Sequence, residues 1–152
     1  MSNNHDCLFC RIVRQEEPAF LVYEDETVLA FLDHRPLFPG HCLLLPKTHY
    51  QTLTDVPENL VSPLFVSARR IATAVEDGMA ADGTFVAMNN RVSQSVPHLH
   101  VHIVPRRKKD GLKGFFWPRR KYKDNAEAET AANHIRAAIQ RTSANTAPDI
   151  IP

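Results

Sequence analysis

The 152-residue sequence is poor in cysteine, in excess charge of either sign and in long apolar runs. Three cysteines are too few for a disulfide scaffold, and their number is odd. With 18 basic and 17 acidic residues the net charge is +1, so no overall charge marks a nucleic-acid-binding protein. The apolar stretches are short and interrupted, which predicts no membrane-spanning segment. Because residues 1–6 are polar, we expect no secretory signal and a cytoplasmic location.

The rest of the composition is typical of a globular protein, with 43% hydrophobic and 23% charged residues. The length suits a single domain, which we place at residues 1–142, followed by a flexible C-terminal tail at 143–152. Hydrophobic patterns predict an α+β fold with an antiparallel sheet, one long helix and one shorter helix. Strands are predicted at 20–23, 28–32, 40–45, 85–88 and 98–104, and helices from Pro57 to about Gly78 and around 127–139.

Positive charge is concentrated between Arg106 and Lys123, where nine basic residues accompany one acid, Asp110. Such a run is either a solvated surface loop or, because Phe115 to Trp117 are interleaved with it, a flap that approaches an anionic ligand. Composition alone leaves both interpretations open.

The most informative segment is 97–105, in which His98, His100 and His102 alternate with Leu, Val and Ile. On a strand, this pattern places the three histidines on one face and the apolar residues in the core. Two chemistries fit the pattern: a three-histidine metal site, or a nucleophilic histidine that a second histidine orients or assists. The amides and hydroxyls of the preceding run, 89–95, favour the second chemistry, because they could stabilise charge on a phosphate.

The segment from His98 to Val104 resembles the signature of the histidine-triad superfamily, specifically its zinc-containing nucleotide hydrolase branch. Further segments are similar to that family: 6–13, 28–33, 39–41, 46–49, 94–96, 105–106 and, more weakly, Trp117-Pro118. The resemblance therefore extends from about Cys7 to Arg106. It implies a histidine-triad fold, a homodimer, a nucleotide substrate and no organic cofactor.

The resemblance also implies a reaction, in which a histidine attacks the α-phosphate of a nucleoside 5′-phosphate derivative. Water then resolves the nucleotidyl-histidine and releases a nucleoside monophosphate. His100 would be the nucleophile, and His102 would contact the phosphate or assist the leaving group. Relatives that transfer nucleotides to sugar phosphates have glutamine in place of His102, so His102 favours hydrolysis. The implied substrate-binding residues are Asp33 for the ribose and Asn89, Gln94 and Ser95 for the phosphate.

A metal site is the remaining expectation. Cys7 and Cys10 form a C-x-x-C pair, and metal-containing relatives resemble this chain there and at His49 and His98. Four such ligands make a closed tetrahedral site, so the implied zinc ion is structural and His98 takes no part in the chemistry. A metal-free dithiol is the alternative.

The chain departs from the family in the loop 90–93, which lacks the glycine that often precedes Gln94. Arg91 could partly replace the close backbone approach that glycine allows. The altered loop and the basic segment together indicate a substrate that is more anionic than a phosphoramidate, such as a dinucleoside polyphosphate.

Two other functions fit the sequence. One is removal of adenylate from DNA ends, which lacks support from any separate DNA-binding module. The other is nucleotide binding or scaffolding without turnover.

Overall fold

The computed structural model describes residues 7–112 and 121–145. They fall into two compact units, one ending at Leu112 and the other beginning at Lys113, which are described separately. The aromatic part of the basic segment, 115–117, and residues 146–152 of the predicted tail lie outside the described residues. Within the described ranges, no helix is both long and apolar enough to cross a membrane.

The first unit is built on a five-stranded antiparallel sheet with the order β1-β2-β3-β5-β4. The α+β fold predicted from the sequence is therefore confirmed. The acidic turn at 24–26 joins β1 and β2 as a hairpin, as predicted. The strands are β1 (Leu21–Glu24), β2 (Val28–Leu32), β3 (Cys42–Pro46), β4 (Gly83–Ala87) and β5 (Val101–Arg106).

Two helices cover the two faces of this sheet. The long helix α2 (Glu58–Gly78) buries Leu64, Ala68, Ile71 and Val75, whose spacing of three and four residues forms one apolar stripe. This stripe packs against alternate residues of β2, β3 and β5. On the opposite face, the short helix α1 (Leu8–Val13) contributes two buried side chains to a second cluster, which contains Phe9, Ile12, Leu29, Phe31, Leu43 and Leu45.

Strand β5 begins later than predicted. The alternation suggested a strand from His98, but regular pairing starts at Val101. The register of β3 with β5 would place Pro46 opposite Leu99, and proline has no N–H to donate to a ladder. Leu99 N–H donates instead to the carbonyl of Tyr50, at 2.6 Å. The in–out alternation survives without the ladder, since Leu99 is buried on the α2 side.

Gly40 shapes the entry to β3. Its φ is +93°, and a Cβ built there would lie 2.6 Å from Cγ of Met79. Only glycine fits both the backbone conformation and the space. The tight turn places His41 immediately before β3, with its side chain buried.

The second unit contains helix α3 (Asn125–Asn145), which is longer than the predicted segment 127–139. Asp124 explains the earlier start, because its Oδ1 accepts a hydrogen bond from the backbone N–H of Glu127, at 2.8 Å. Glu127 in turn accepts from the N–H of Lys123. The first bond satisfies an N–H group that the first turn of a helix leaves unpaired, and the second ties the residue before Asp124 to that turn.

Candidate active site

A cavity of about 810 Å³ opens on the α1 side of the sheet. Its lining combines a mainly apolar surface with a small number of polar groups, as is typical of small-molecule sites. The apolar lining includes Leu8, Phe9, Ile12, Phe20, Phe31 and Leu43, and the polar lining consists of Glu17, Asp33, His34, Ser95, His100 and His102.

The backbone fixes the tautomer of His100. Its Nδ1 lies 2.7 Å from the carbonyl oxygen of His98, which can only accept, so Nδ1 carries the proton. The lone pair of neutral His100 is therefore on Nε2. The ring is held in place by the edge-to-face contact with Phe9, with centroids 5.1 Å apart and planes at 89°. This arrangement orients a nucleophilic nitrogen without a carboxylate partner.

His102 pairs with His41, a residue that our sequence analysis did not assign to the site. The backbone N–H of Leu37 donates to Nδ1 of His41, at 3.2 Å, so the proton of neutral His41 is on Nε2. That Nε2–H donates to Nδ1 of His102, at 3.0 Å. His102 consequently carries its own proton on Nε2. One backbone amide thus sets the tautomers of two imidazoles in series.

Burial keeps both of these imidazoles neutral near pH 7. Burial, with smaller contributions from the neighbouring His100 and His41, lowers the pKa of His102 to about 4, although the Asp33 carboxylate acts in the opposite direction. Burial also lowers the pKa of His41, although the Asp33 carboxylate acts in the opposite direction. His102 can therefore donate a hydrogen bond from Nε2, but it is a poor source of a proton at neutral pH.

Asp33 follows β2 and lines the same cavity. Its Oδ1 accepts the N–H of Arg35, at 2.8 Å, and its Oδ2 lies 3.7 Å from Nδ1 of His41. Asp33, His41 and His102 also form a cluster of metal-ligating atoms within 4.8 Å. The cluster does not suit a metal, because a His41 ligand using Nε2 would need its proton on Nδ1, where the Leu37 N–H points.

Of the three loop residues that were predicted to bind phosphate, Ser95 lies at the cavity, whereas the side-chain amides of Asn89 and Gln94 bond to backbone carbonyls. Ser95 lines the cavity. The amide of Asn89 donates to the Ser93 carbonyl, at 3.2 Å, and the amide of Gln94 donates to the Gln51 carbonyl, at 2.7 Å. Both amides therefore hold the loop in shape.

The glycine-free part of this loop is strained. Arg91 and Ser93 adopt positive φ values of 67° and 59°. The N–H of Arg91 donates to Oε1 of Gln94, at 2.8 Å. The pKa of Asp55 is lowered, mainly by hydrogen bonds from Thr52 and further by the charge of Arg91. The backbone of Arg91 is thus tied to the side chain of Gln94 in this loop.

Cys7, Cys10, His49 and His98 lie together beside α1, with one ligand atom from each within 4.8 Å of the others. Sγ of Cys10 is 3.3 Å from Nδ1 of His49 and 3.5 Å from Nδ1 of His98, and Sγ of Cys7 is 3.5 Å from the same His98 atom. A tetrahedral zinc site with ordinary bond lengths has sulfur–nitrogen separations of about 3.5 Å. The donor set and its spacing therefore fit a closed metal site.

The surroundings of this cluster also suit a metal. Nε2–H of His98 donates to the carbonyl of Pro46, at 2.8 Å, which directs the lone pair of Nδ1 toward the two sulfurs. Burial lowers the pKa of His98 to about 4, so that lone pair is free at neutral pH. Burial and the contact with Cys7 raise the pKa of Cys10 to about 11, so metal binding would release a proton from this thiol.

Neighbouring residues link the Cys/His cluster to the cavity that contains His100. His98 belongs to the Cys/His cluster, while its carbonyl holds His100. Cys10 lies on α1 next to Phe9, which contacts the His100 ring. Restraining α1 at Cys10 therefore restrains one wall of the cavity.

The basic segment is engaged with the fold at its start. Arg106 pairs with Asp110, with Nε 2.6 Å from Oδ2. Arg107 donates to the carbonyls of Met79 and Ala80, just beyond the C-terminus of α2. These two arginines thus stabilise the turn after β5 and the end of the helix.

The fold and the cavity define an α+β protein with a histidine-rich pocket, and comparisons with known proteins identify its family. The HIT domain model matches residues 14–109. The adenylylsulfatase HINT3 of Arabidopsis thaliana is 37% identical over 110 residues, which span 71% of this chain and 56% of that relative. This protein belongs to the HIT domain family.

Two solved structures extend the comparison. A HIT-family protein from Bacillus subtilis is 34% identical, with a TM-score of 0.80, and the match covers 88% of this chain and 96% of that one. A zinc-bound histidine-triad protein from Mycobacterium smegmatis is 38% identical, with a TM-score of 0.69 and coverage of 94% and 99%. These similarities agree with the family resemblance drawn from the sequence.

Proposed function

We propose that this protein hydrolyses a nucleoside 5′-phosphate derivative through a nucleotidyl-histidine intermediate and releases a nucleoside monophosphate. The main support is the orientation of His100, whose Nδ1–H is bound by a backbone carbonyl while the ring lines the cavity. Binding alone would not require a nucleophile held in one tautomer.

In the first step, the Nε2 lone pair of His100 attacks the α-phosphorus. A nitrogen–phosphorus bond forms, and the bond from phosphorus to the leaving group breaks, with its electron pair departing on that group. The imidazole becomes a cation, which the His98 carbonyl stabilises through Nδ1–H. The Nε2–H of His102 donates a hydrogen bond to a phosphoryl oxygen, where negative charge accumulates.

In the second step, water attacks the same phosphorus and the nitrogen–phosphorus bond breaks. Its electron pair returns to Nε2 of His100, and the water loses a proton to solvent. The products are the nucleoside monophosphate and the leaving group. Because His102 is a poor proton donor near pH 7, leaving groups that depart as anions suit the site best. Dinucleoside polyphosphates and adenylyl sulfate are such substrates, the latter suggested by the name of the Arabidopsis relative.

The remaining residues bind and position the nucleotide. Asp33 accepts hydrogen bonds from the ribose hydroxyls, and Ser95 contacts the phosphate from the cavity wall. Asn89 and Gln94 contribute to phosphate binding by holding the loop that carries Ser95. His41 is a positioning residue, because it acts through His102.

Cys7, Cys10, His49 and His98 would hold a structural zinc ion, which would cross-link α1 to the segments around His49 and His98. We also propose a homodimer. Exposed apolar side chains on α2 and β4 offer a surface for it, namely Phe65, Val66 and Val86.

The proposal is tested by measuring nucleoside monophosphate release from diadenosine tetraphosphate, adenylyl sulfate and an adenosine phosphoramidate. We expect His100→Ala to lose on the order of 10⁴-fold in kcat, as when a nucleophile is removed. His134→Ala is the matched control, because His134 is an exposed histidine of α3. Binding of adenosine monophosphate without turnover of any substrate would show that the protein binds nucleotides and does not hydrolyse these substrates.

A further inference from the structure

Besides Asp33, which the proposed function assigns to the ribose, a second carboxylate lines the cavity, that of Glu17. Glu17 precedes Pro18, Ala19 and Phe20 in the segment before β1, and all four line the cavity. The Glu17 carboxylate is paired with the Arg11 guanidinium, through Oε1, and its side chain is 30% exposed. The pair with Arg11 holds this carboxylate at the cavity wall.

The proposed chemistry fixes where a base would lie in this cavity. A nucleotide with its α-phosphate at His100 and His102 and its ribose at Asp33 has its base in the remaining part of the same cavity. That part is lined by aromatic and aliphatic side chains, which suit either face of any base. Apolar contacts of this kind discriminate weakly between bases, so a polar group on the wall decides the preference.

An ionised carboxylate accepts hydrogen bonds and donates none. Guanine offers two neighbouring donors, N1–H and the exocyclic N2–H₂, which match the two oxygens of a carboxylate. Adenine offers one exocyclic amine beside the acceptor N1, which a carboxylate repels. Oε1 of Glu17 is shared with Arg11, but a carboxylate oxygen has lone pairs for a second donor.

We propose that Glu17 is a specificity-determining residue, which recognises the N1–H and N2–H₂ groups of guanine and makes guanine nucleotides the preferred ligands of the cavity. The inference rests on the proposed function for the direction in which the nucleotide lies. It names the base of the substrate, which the chemistry at His100 leaves open.

The test is the affinity of the full chain for guanosine and adenosine monophosphates, measured by calorimetry. We expect the wild-type protein to bind the guanine nucleotide about 10-fold more tightly or better, as for a well-placed bidentate pair. Glu17→Gln should bring the two affinities to within about 3-fold, because the amide of glutamine supplies one donor in place of an acceptor.

Two further variants separate recognition from structure. Glu16→Gln is the matched control, because Glu16 neighbours Glu17 but pairs with Arg14 and is absent from the cavity lining. Arg11→Gln breaks the ion pair yet keeps the carboxylate. Glu16→Gln should retain the full preference for guanine, whereas Arg11→Gln should retain a weaker preference, because the carboxylate is still present but is no longer held at the cavity wall. Equal affinities in the wild type, or a preference that survives in Glu17→Gln, would overturn the inference.

The outcome is independent of turnover. Guanine-selective binding that depends on Glu17, with no hydrolysis of any substrate, would refute the hydrolase and leave this inference standing. Equal hydrolysis of adenine and guanine substrates that depends on His100 would support the hydrolase and refute the inference about Glu17.

Discussion

Replacing Phe9 with alanine tests the link between α1 and the proposed nucleophile. The Phe9 ring is 5% exposed and packs edge-on against Phe31, with centroids 5.4 Å apart, and against His100, 5.1 Å apart. Truncation of a buried phenylalanine costs about 3–5 kcal/mol. Because Phe9 borders a cavity and has fewer neighbours on that side, we expect the lower end of this range, about 3 kcal/mol.

Phe20→Ala is the matched control for this change. Phe20 lines the same cavity but is 79% exposed, so its removal should cost less than about 1 kcal/mol. The free energy of unfolding is measured by urea titration of both variants and the wild type, with the same metal content. A loss at Phe9 no larger than the loss at Phe20 would show that α1 does not pack against the sheet as described.

The same variant has a second readout. Without Phe9, the His100 ring loses one edge-to-face contact but keeps its contact with the His102 ring and the hydrogen bond to the His98 carbonyl. We therefore expect kcat of any hydrolysed substrate to fall for Phe9→Ala at temperatures where the variant is fully folded. An unchanged kcat would separate the orientation of His100 from helix α1.

Three further predictions concern metal, acid and backbone strain. Cys10→Ser should lose bound zinc in metal analysis, while Cys42→Ser, a change at a buried thiol outside the cluster, should keep it. The folded pKa of His102, about 4 against an ordinary 6.5, means that its contribution to the unfolding free energy is full above pH 6.5 and is lost as pH falls toward 4. Urea titrations across that range should show a shallower pH dependence for His102→Gln. Ser93→Gly should stabilise the protein by about 0.5–1 kcal/mol by relieving a positive φ, whereas Val92→Gly, with no such strain, should destabilise it.

Local patterns predicted helices α2 and α3 and most of the sheet, but they did not predict the short helix α1 (Leu8–Val13). The stripe of α2 is a property of one segment with a period of 3.6 residues, so Leu64 to Val75 could be assigned without knowing their partners. The start of β5 could not be assigned in this way, because it depends on which residue of β3 lies opposite. Pro46 stands there and cannot complete the ladder.

The candidate site shows the same division between local and distant information. The alternating histidines and the Cys7-Cys10 pair were visible in short segments. The contact of His41 with His102 joins residues 61 positions apart, and only the Pro39-Gly40-His41 motif hinted at it. The amides of Asn89 and Gln94 were expected to face phosphate. Their bonds within and beside the loop depend on a backbone that turns through positive φ twice, which the sequence does not reveal.

The proposed hydrolysis requires Nε2 of His100 to form a bond to the α-phosphorus. The direct test is to mix the protein with diadenosine tetraphosphate and adenylyl sulfate, quench during turnover at alkaline pH, and map the modified peptide by mass spectrometry. We expect one nucleotidyl group on His100 in the wild type and none in His100→Ala. Turnover without any adduct in the wild type, or with an adduct on His102, would rule out His100 as the nucleophile.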